Sequence, residues 1–233
     1  MPPLTFPEVR RGAVALSSLY VERRAGGCIA SRSVDGEGKR AALATYFAPL
    51  HFLTLYHALE PGWLEPAPRR VVDLGCGTGA AGAAVVARLA TAPEVLALDR
   101  SGWALGEARH TLRAFGAPPR TRRGRLPEAW PRARPGDLFV LGWVVNECGE
   151  GEATMLERVR RTLDAGARVL VAEPLAHGAA PWWSRWAAEL AGAGVRALET
   201  RGARELPPFL GKLDRAAGLD HSSLGARLLF GPR

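Results

Sequence analysis

The sequence contains few cysteines, hardly any lysine and no long apolar run. The three cysteines, Cys28, Cys76 and Cys148, are odd in number and far apart. This spacing argues against a disulfide framework and against a zinc site, so we expect no metal and a reducing, cytoplasmic environment. No stretch reaches 18 consecutive apolar residues, so we expect neither a transmembrane helix nor a membrane partner.

Positive charge is in excess. The formal net charge is +8, and 29 of the 31 basic residues are arginines. A basic protein suggests an anionic partner such as RNA. The codon bias of a GC-rich genome also enriches arginine, alanine and glycine, and the arginines here are scattered, with the densest cluster from Arg120 to Arg134. Both explanations stay open.

The length of 233 residues fits one domain with an additional N-terminal segment. The first seventy residues indicate helices, and Pro49 should kink or divide the apolar helical stretch from Ala41 to Leu59. A proline-rich linker, GWLEPAPRR, leads into the first strand. We therefore divide the chain into a helical extension or lid at residues 1–68 and an α/β domain at residues 69–233.

Strands and helices alternate from Val71 onwards, which predicts a mostly parallel sheet covered on both faces. The expected strands are Val71–Leu74, Val95–Asp99, Arg120–Arg125, Asp137–Val145, Ala167–Ala172, Val195–Glu199 and Gly225–Phe230. The expected helices are Ala80–Ala90, Trp103–Phe115, Ala153–Leu163, Pro181–Ala191 and Leu210–Ala217, with Ser101 as an N-cap. Such sheets bind ligands at the carboxyl ends of their strands, where the strand order reverses.

The segment VVDLGCGTGAAG, from Val71 to Gly82, joins the first of these strands to its helix. The strand, glycine turn and helix have the outline of a dinucleotide site, but no lysine follows the glycines, which excludes a P-loop. Asp73 would repel a pyrophosphate on the turn and attract an ammonium or sulfonium group. Asp99 ends the next strand, where an acid accepts hydrogen bonds from ribose hydroxyls. The turn therefore suits S-adenosylmethionine, and an ordinary tight connection is the alternative.

Three blocks, VVDLGCGTG, LALDRS and GDLFVLGWVVNE, resemble the class I S-adenosylmethionine-dependent methyltransferases over about residues 69–233. The resemblance implies a Rossmann-like, doubly wound sheet of seven strands, mostly parallel, with the last strand antiparallel. It implies that Asp73 and the glycines lie near the methionine end of the cofactor and Asp99 on the ribose. The predicted cofactor-binding residues are Asp73, Gly75, Cys76, Gly77, Gly79, Asp99, Arg100, Arg125, Leu126 and Trp143.

Polar residues that follow the fourth and fifth strands are the predicted catalytic groups, because these strand ends share one crevice. They are Asn146, Glu147 and Glu173. A carboxylate there could act as a base towards the acceptor, and a helix-capping role for Glu147 is the alternative. Methyltransferases that modify amino groups carry Asn or Asp before Pro-Pro-Tyr/Phe at this point, and this chain has Asn-Glu-Cys instead.

Four further residues are predicted to contact the methyl acceptor. They are Tyr46, His51, His177 and Trp182. Core packing is the alternative for Tyr46, His51 and Trp182, and a solvated loop is the alternative for His177.

These features favour an enzyme that transfers a methyl group to an oxygen or nitrogen of a small molecule. The positive charge leaves an RNA methyltransferase as an alternative. The segments VVNE and VAEPLAHG are also similar to bacterial relatives of the methyltransferase-like proteins of the mitochondrial small ribosomal subunit. A non-catalytic, cofactor-binding ribosome assembly factor is therefore a further alternative. Those proteins carry a metal-binding cysteine cluster that this chain lacks. The sequence leaves the oligomeric state open.

Overall fold

The computed structural model describes residues 4–23 and 35–232, and leaves out the side chains of residues 20–23, 148–150 and 177. Cys28 and the side chains of Cys148 and His177 therefore lie outside the description. The seven strands β1–β7 are Arg70–Leu74, Glu94–Asp99, Arg120–Arg123, Asp137–Gly142, Arg168–Glu173, Arg196–Ala203 and Ser223–Gly231. The helices α1–α8 are Phe6–Arg23, Glu37–Ala42, Ala48–Ala58, Ala80–Val86, Gly102–Ala114, Glu152–Asp164, Trp183–Ala191 and Pro208–Ala216.

The strands form one sheet in the order β3-β2-β1-β4-β5-β7-β6. Strand β7 is antiparallel to both of its neighbours, β5 and β6, and the remaining strand pairs are parallel. The predicted doubly wound, seven-stranded sheet with an antiparallel last strand is therefore confirmed. Strand order reverses between β1 and β4, so the carboxyl ends of these two strands flank the crevice expected to bind a ligand.

The central strands are apolar on both faces because helices cover both sides of the sheet. In β4, Leu138 and Val140 pack into one apolar cluster with α4 and α5, whereas Phe139 and Leu141 pack into the other with α6 and α7. Strand β3 ends at Arg123 rather than at the predicted Arg125, and the Gly124 N–H donates a last hydrogen bond to the Asp99 carbonyl of β2.

The predicted break near Pro49 takes the form of a π-helical segment, Leu43–Phe47, between α2 and α3. Proline has no N–H to donate to the carbonyl four residues earlier, and such a gap in the helical ladder is a recognised cause of a local change in winding. With α1 and α8, this segment forms a third apolar cluster that includes Tyr46, Phe47 and Leu213.

The linker between α3 and β1 is hydrogen-bonded to the sheet. The guanidinium of Arg168, a buried residue at the start of β5, donates to the carbonyls of Leu64, Glu65 and Pro66. Arg88 donates to the Leu59 carbonyl over 2.6 Å. The C-terminal half of α3 shares an apolar cluster with the sheet, and the division at residue 68 stays a prediction. None of the helices within the described ranges has the length and apolarity needed to cross a bilayer.

Candidate active site

A cavity of about 540 Å³ opens at the carboxyl ends of the parallel strands. Loops after β1, β2, β3, β4 and β5 form one side of it, and the π segment, α3 and the residues at the start of β7 form the other. Twelve of the predicted residues line this cavity. They are His51, Gly75, Cys76, Gly77, Asp99, Arg100, Arg125, Leu126, Trp143, Asn146, Glu147 and Glu173. Segments more than one hundred residues apart in the chain thus meet around one space.

The glycine loop after β1 has a backbone conformation that favours glycine. Gly75, Gly77 and Gly79 have φ angles of 61°, 52° and 83°, in the left-handed region. A Cβ at Gly75 would also lie 2.2 Å from Cγ2 of Val144. Gly79 does not line the cavity and is instead the N-cap of α4. The loop therefore exposes backbone, not side chains, to whatever occupies the cavity.

Asp99 connects this loop to the end of β2. Its Oδ2 accepts the Gly77 N–H over 3.0 Å, and its Oδ1 accepts the Ser101 N–H over 2.8 Å. Ser101 caps α5 as predicted, because its hydroxyl accepts the Ala104 N–H. A carboxylate has about four acceptor positions, so Asp99 retains capacity for two ligand hydroxyls. This geometry fits the role predicted for a ribose.

Asp73 lies beneath the glycine loop and does not line the cavity. Its Oδ2 accepts the Gly82 N–H over 3.1 Å, and a Cβ at Gly82 would come within 2.6 Å of that oxygen. Its Oδ1 is buried and has no hydrogen-bond partner among the described residues. Burial, reinforced by the charge of Asp99, raises the pKa of Asp73 to about 7. A cation at the loop would stabilise the charged form of Asp73 and lower its pKa, whereas a phosphate would destabilise that form further.

The remaining predicted cofactor residues lie on the β2 and β3 side. Arg100, Arg125 and Leu126 line the cavity together with Leu98 and Gly124. Burial raises the pKa of the Cys76 thiol well above its ordinary value, with further contributions from nearby carboxylates. The thiol is therefore neutral at physiological pH and is not suited to act as a nucleophile.

Asn146 and Glu173 are in contact, as expected for residues at the carboxyl ends of the neighbouring strands β4 and β5. The Asn146 side-chain amide donates to Glu173 Oε2 over 2.8 Å, and its Oδ1 accepts the Trp182 indole N–H over 2.8 Å. Trp182 is buried against Trp186 and does not line the cavity. Its hydrogen bond orients the Asn146 side chain, and its predicted contact with the acceptor stays a prediction. Glu173 is fully buried, and its register neighbour on β7 is Arg227.

Glu147 lines the cavity from the 3-10 helix Val145–Gly151. The N-cap of the following helix, α6, is Gly151, without a side-chain hydrogen bond to the cap. His177 begins a short 3-10 helix that ends at Ala179, and its predicted contact with the acceptor stays a prediction.

A stacked pair of rings joins the N-terminal helices to the sheet. The His51 imidazole lies on the Trp143 indole with a centroid distance of 4.1 Å and an interplanar angle of 8°. Trp143 follows β4 with a φ of 57°, an uncommon value for a bulky residue and one that clusters at functional sites. Burial, with a contribution from the charge of His221, lowers the pKa of His51 to about 4. The imidazole is therefore neutral at physiological pH.

Asp214 and His221 were not predicted as site residues. Asp214 Oδ1 lies 2.7 Å from His221 Nδ1, and Asp214 Oδ2 accepts the His221 backbone N–H over 3.0 Å. The Tyr46 hydroxyl donates to the same Asp214 Oδ1 and lies 3.0 Å from His221 Nδ1. His221 lines the cavity, whereas Tyr46 is fully buried behind it. No sequence motif joins these residues, because Tyr46 and His221 are 175 positions apart.

A scan against protein-family models matches none of them, and a search of curated proteins finds no significant match. Solved structures do match. The mitomycin 7-O-methyltransferase MmcR is 16% identical over 91% of this chain and 59% of its own length, with a TM-score of 0.53. The O-methyltransferase TomG from Streptomyces achromogenes, solved with S-adenosylmethionine, is 15% identical over 91% and 90% of the two chains, with a TM-score of 0.47. The strand order and the MmcR match agree, and the chain has the Rossmann-like fold of the class I S-adenosylmethionine-dependent methyltransferases.

Proposed function

We propose that this protein is a methyltransferase that uses S-adenosylmethionine to methylate an oxygen or nitrogen of a small molecule. Two carboxyl groups at one glycine loop carry the assignment: Asp99 in the cavity wall and the buried Asp73 with its unpartnered Oδ1. They suit a ligand with ribose hydroxyls and a cationic amino-acid end, and they oppose a pyrophosphate. When bound, the cofactor supplies an electrophilic methyl group on a sulfonium.

The residues of the cavity divide into two groups that suit the two parts of such a reaction. The glycine loop, Asp99, Arg125 and Leu126 would hold the nucleoside and amino-acid parts of the cofactor. The acceptor would lie against the opposite wall, where Phe47, His51, Trp143 and Leu224 provide aromatic and apolar surface. Binding and alignment of the two reactants account for much of the rate in a transfer of this kind.

The charge of the cavity supports a small molecule over a polyanion. Three carboxylates, Asp99, Glu147 and Glu173, line it beside the two guanidiniums of Arg100 and Arg125, with the buried Asp73 beneath, although the chain as a whole carries +8. Negative side chains at the reacting end repel phosphates. The volume, about 540 Å³, is in the range of pockets for drug-sized molecules.

RNA is the second candidate acceptor, and one observation favours it. Arg120, Arg122 and Arg123 lie on β3, at the exposed edge of the sheet, close in sequence to Arg125 in the cavity wall. Cations of this kind contact phosphates of any sequence. Binding of cofactor without any methyl transfer would instead support a non-catalytic assembly factor.

Calorimetry with S-adenosylmethionine, S-adenosylhomocysteine and NADH tests the cofactor assignment. We expect the first two to bind, and Asp99→Ala to weaken them by about 1–3 kcal/mol, because buried polar groups of the ligand lose their acceptor. Asp164→Ala, an exposed carboxylate at the end of α6, is the matched control and should bind as the wild type does. Binding of NADH without binding of S-adenosylmethionine would overturn the proposed function.

A further inference from the structure

We propose that His221, held by Asp214, is the general base that removes the proton from an acceptor hydroxyl during methyl transfer. The inference rests on the proposed function and names a residue and an acceptor group for it. Neither residue belongs to the loops after β4 and β5, where the sequence predicted the catalytic groups. Asp214 lies on α8, and His221 lies in the connection from α8 to β7.

The hydrogen bonds around His221 fix which ring nitrogen faces the carboxylate. Asp214 Oδ1 lies 2.7 Å from Nδ1, and Asp214 Oδ2 accepts the backbone N–H of the same histidine. Although burial opposes it, the hydrogen bonds from Tyr46 and His221 hold the pKa of Asp214 below its ordinary value. An ionised carboxylate only accepts, so Nδ1 carries the proton and Nε2 is the basic nitrogen of the neutral ring.

The exposure of the two side chains matches these roles. The His221 side chain is 34% exposed and lines the cavity, whereas Asp214 is 8% exposed behind it. Among the described residues, no hydrogen bond to His221 Nε2 is formed. A partly exposed imidazole with a buried carboxylate on its other nitrogen is the arrangement in which a histidine can take a proton and keep its orientation.

Tyr46 positions this pair from the N-terminal extension. Its hydroxyl donates to Asp214 Oδ1, the oxygen that also faces Nδ1. The Tyr46 and His221 rings are in edge contact, with centroids 5.9 Å apart. Among the described residues, the ionisable groups that interact with His221 include Asp214 on α8, Asp220 next to it in the chain, Tyr46 on the π segment and His51 on α3. His51 is neutral, so Asp214 and Asp220 are the charged members of this set.

His221 also lies on the acceptor side of the cavity. In its protonated form it acts on His51, which stacks on Trp143 at the end of β4, beside Asn146 and Glu147 in sequence. In the transfer, the acceptor oxygen forms a bond to the methyl carbon as the carbon–sulfur bond breaks and leaves its electron pair on sulfur. The hydroxyl proton passes to Nε2 of His221, and the resulting imidazolium faces the Asp214 carboxylate. A hydroxyl acceptor needs such a base, because its oxygen is a weak nucleophile until the proton leaves.

NMR of the histidine side chains in the ¹⁵N-labelled protein tests the proposal without knowledge of the acceptor. The His221 signals are assigned by their loss in His221→Gln, or, if that variant does not fold, by elimination with variants of the other four histidines. We expect the neutral ring to carry its proton on Nδ1. Asp214→Asn should raise the share of the ring protonated on Nε2, because the charge that holds the proton on Nδ1 is removed.

S-adenosylmethionine and S-adenosylhomocysteine differ by one methyl group and one positive charge, so they measure how close His221 is to the sulfonium. We expect the ring ¹⁵N signals of His221 to differ between the two complexes at the same pH, because the sulfonium charge acts on a ring close to it. His110, exposed on α5, should give the same signals in both and is the internal control. Equal His221 signals in the two complexes, or a proton on Nε2 in place of Nδ1, would overturn the role of base. Failure of either compound to bind would overturn the proposed function, and the base with it.

Discussion

Asp73 is a buried carboxyl group whose ionisation opposes folding. Its pKa is about 7 in the folded protein and near 3.8 as an ordinary carboxyl, so the folded state binds more protons between these values. Stability contributed by this group is therefore fully present below about pH 4 and is lost as the pH rises towards 7.

Asp73→Asn keeps an oxygen that can accept the Gly82 N–H and removes the charge. From pH 5 to pH 8 we expect this variant to gain about 1–3 kcal/mol of unfolding free energy relative to the wild type. Urea unfolding at the two pH values measures the difference, and Asp164→Asn should show none. Parallel pH dependence of wild type and Asp73→Asn would show that Asp73 titrates as an ordinary carboxyl.

Gly75 has a left-handed backbone conformation, and the neighbouring Val144 leaves no space for a side chain at this position. Gly75→Ala should destabilise the protein by about 2–4 kcal/mol, because the strain of the φ angle adds to the clash with Val144. Val144→Ala in the same chain should recover only part of this stability. Gly106→Ala on α5, where a Cβ meets nothing within 4 Å, should be neutral or stabilising. An equal effect of the two glycine substitutions in chemical denaturation would contradict this explanation of the loop.

Single residues could be predicted from the sequence where their neighbours along the chain determine their position. The loop glycines and Asp99 follow strands whose pattern is local, and the structure brings Gly75, Gly77 and Asp99 to one cavity. Asp73 was predicted beside the ligand, but the alternation along β1 directs its side chain under the loop. Tyr46 and Asp214 are 168 positions apart, and only packing of the N-terminal helices on α8 brings them together.

At the scale of elements, the hydroxyl of Tyr46 connects the π segment to α8. Tyr46→Phe removes a donor from the buried, ionised Asp214, so we expect the free energy of unfolding to fall by about 1–3 kcal/mol. Tyr56→Phe, on α3, is the matched control and should change stability by less than about 0.5 kcal/mol. Denaturant titration compares the two, and equal decreases would mean that this hydrogen bond contributes nothing of its own.

The sequence predicted the presence of the helices and strands more accurately than the way in which they end. Pro49 indicated an interruption of the helix because it lacks an N–H. It did not indicate whether the interruption would be a kink, a break between two helices or a π-helical segment. That choice depends on Tyr46 and Phe47, which are buried against α1 and α8. The alternation of strands and helices predicted a mostly parallel sheet, whereas the seven strands and the antiparallel last strand were implied only by the family resemblance.

At the scale of the whole molecule, the net charge of +8 is not concentrated in the cavity, which three carboxylates and two arginines line. We expect any RNA binding to be weak and to fall steeply with salt, because binding to phosphates releases their counterions. Replacing Arg120, Arg122 and Arg123 by glutamine should reduce the salt slope by about 0.7 for each phosphate that these side chains neutralise, with unchanged affinity for S-adenosylmethionine. Titration of a labelled oligonucleotide at several salt concentrations measures this. RNA affinity that persists at physiological salt would favour RNA as the acceptor.

The bonds from Arg168 to three consecutive linker carbonyls determine how the cavity can open. A flap moves about a few residues whose backbone angles are free to change, and the linker at Leu64–Pro66 is held to a central strand. We therefore expect the N-terminal helices not to swing as one rigid body about the linker, and any rearrangement to occur nearer the π segment, where the helical ladder is already interrupted. In hydrogen exchange, amides next to the Arg168 bonds should open only with the whole sheet, and those from residue 43 to 47 should open earlier.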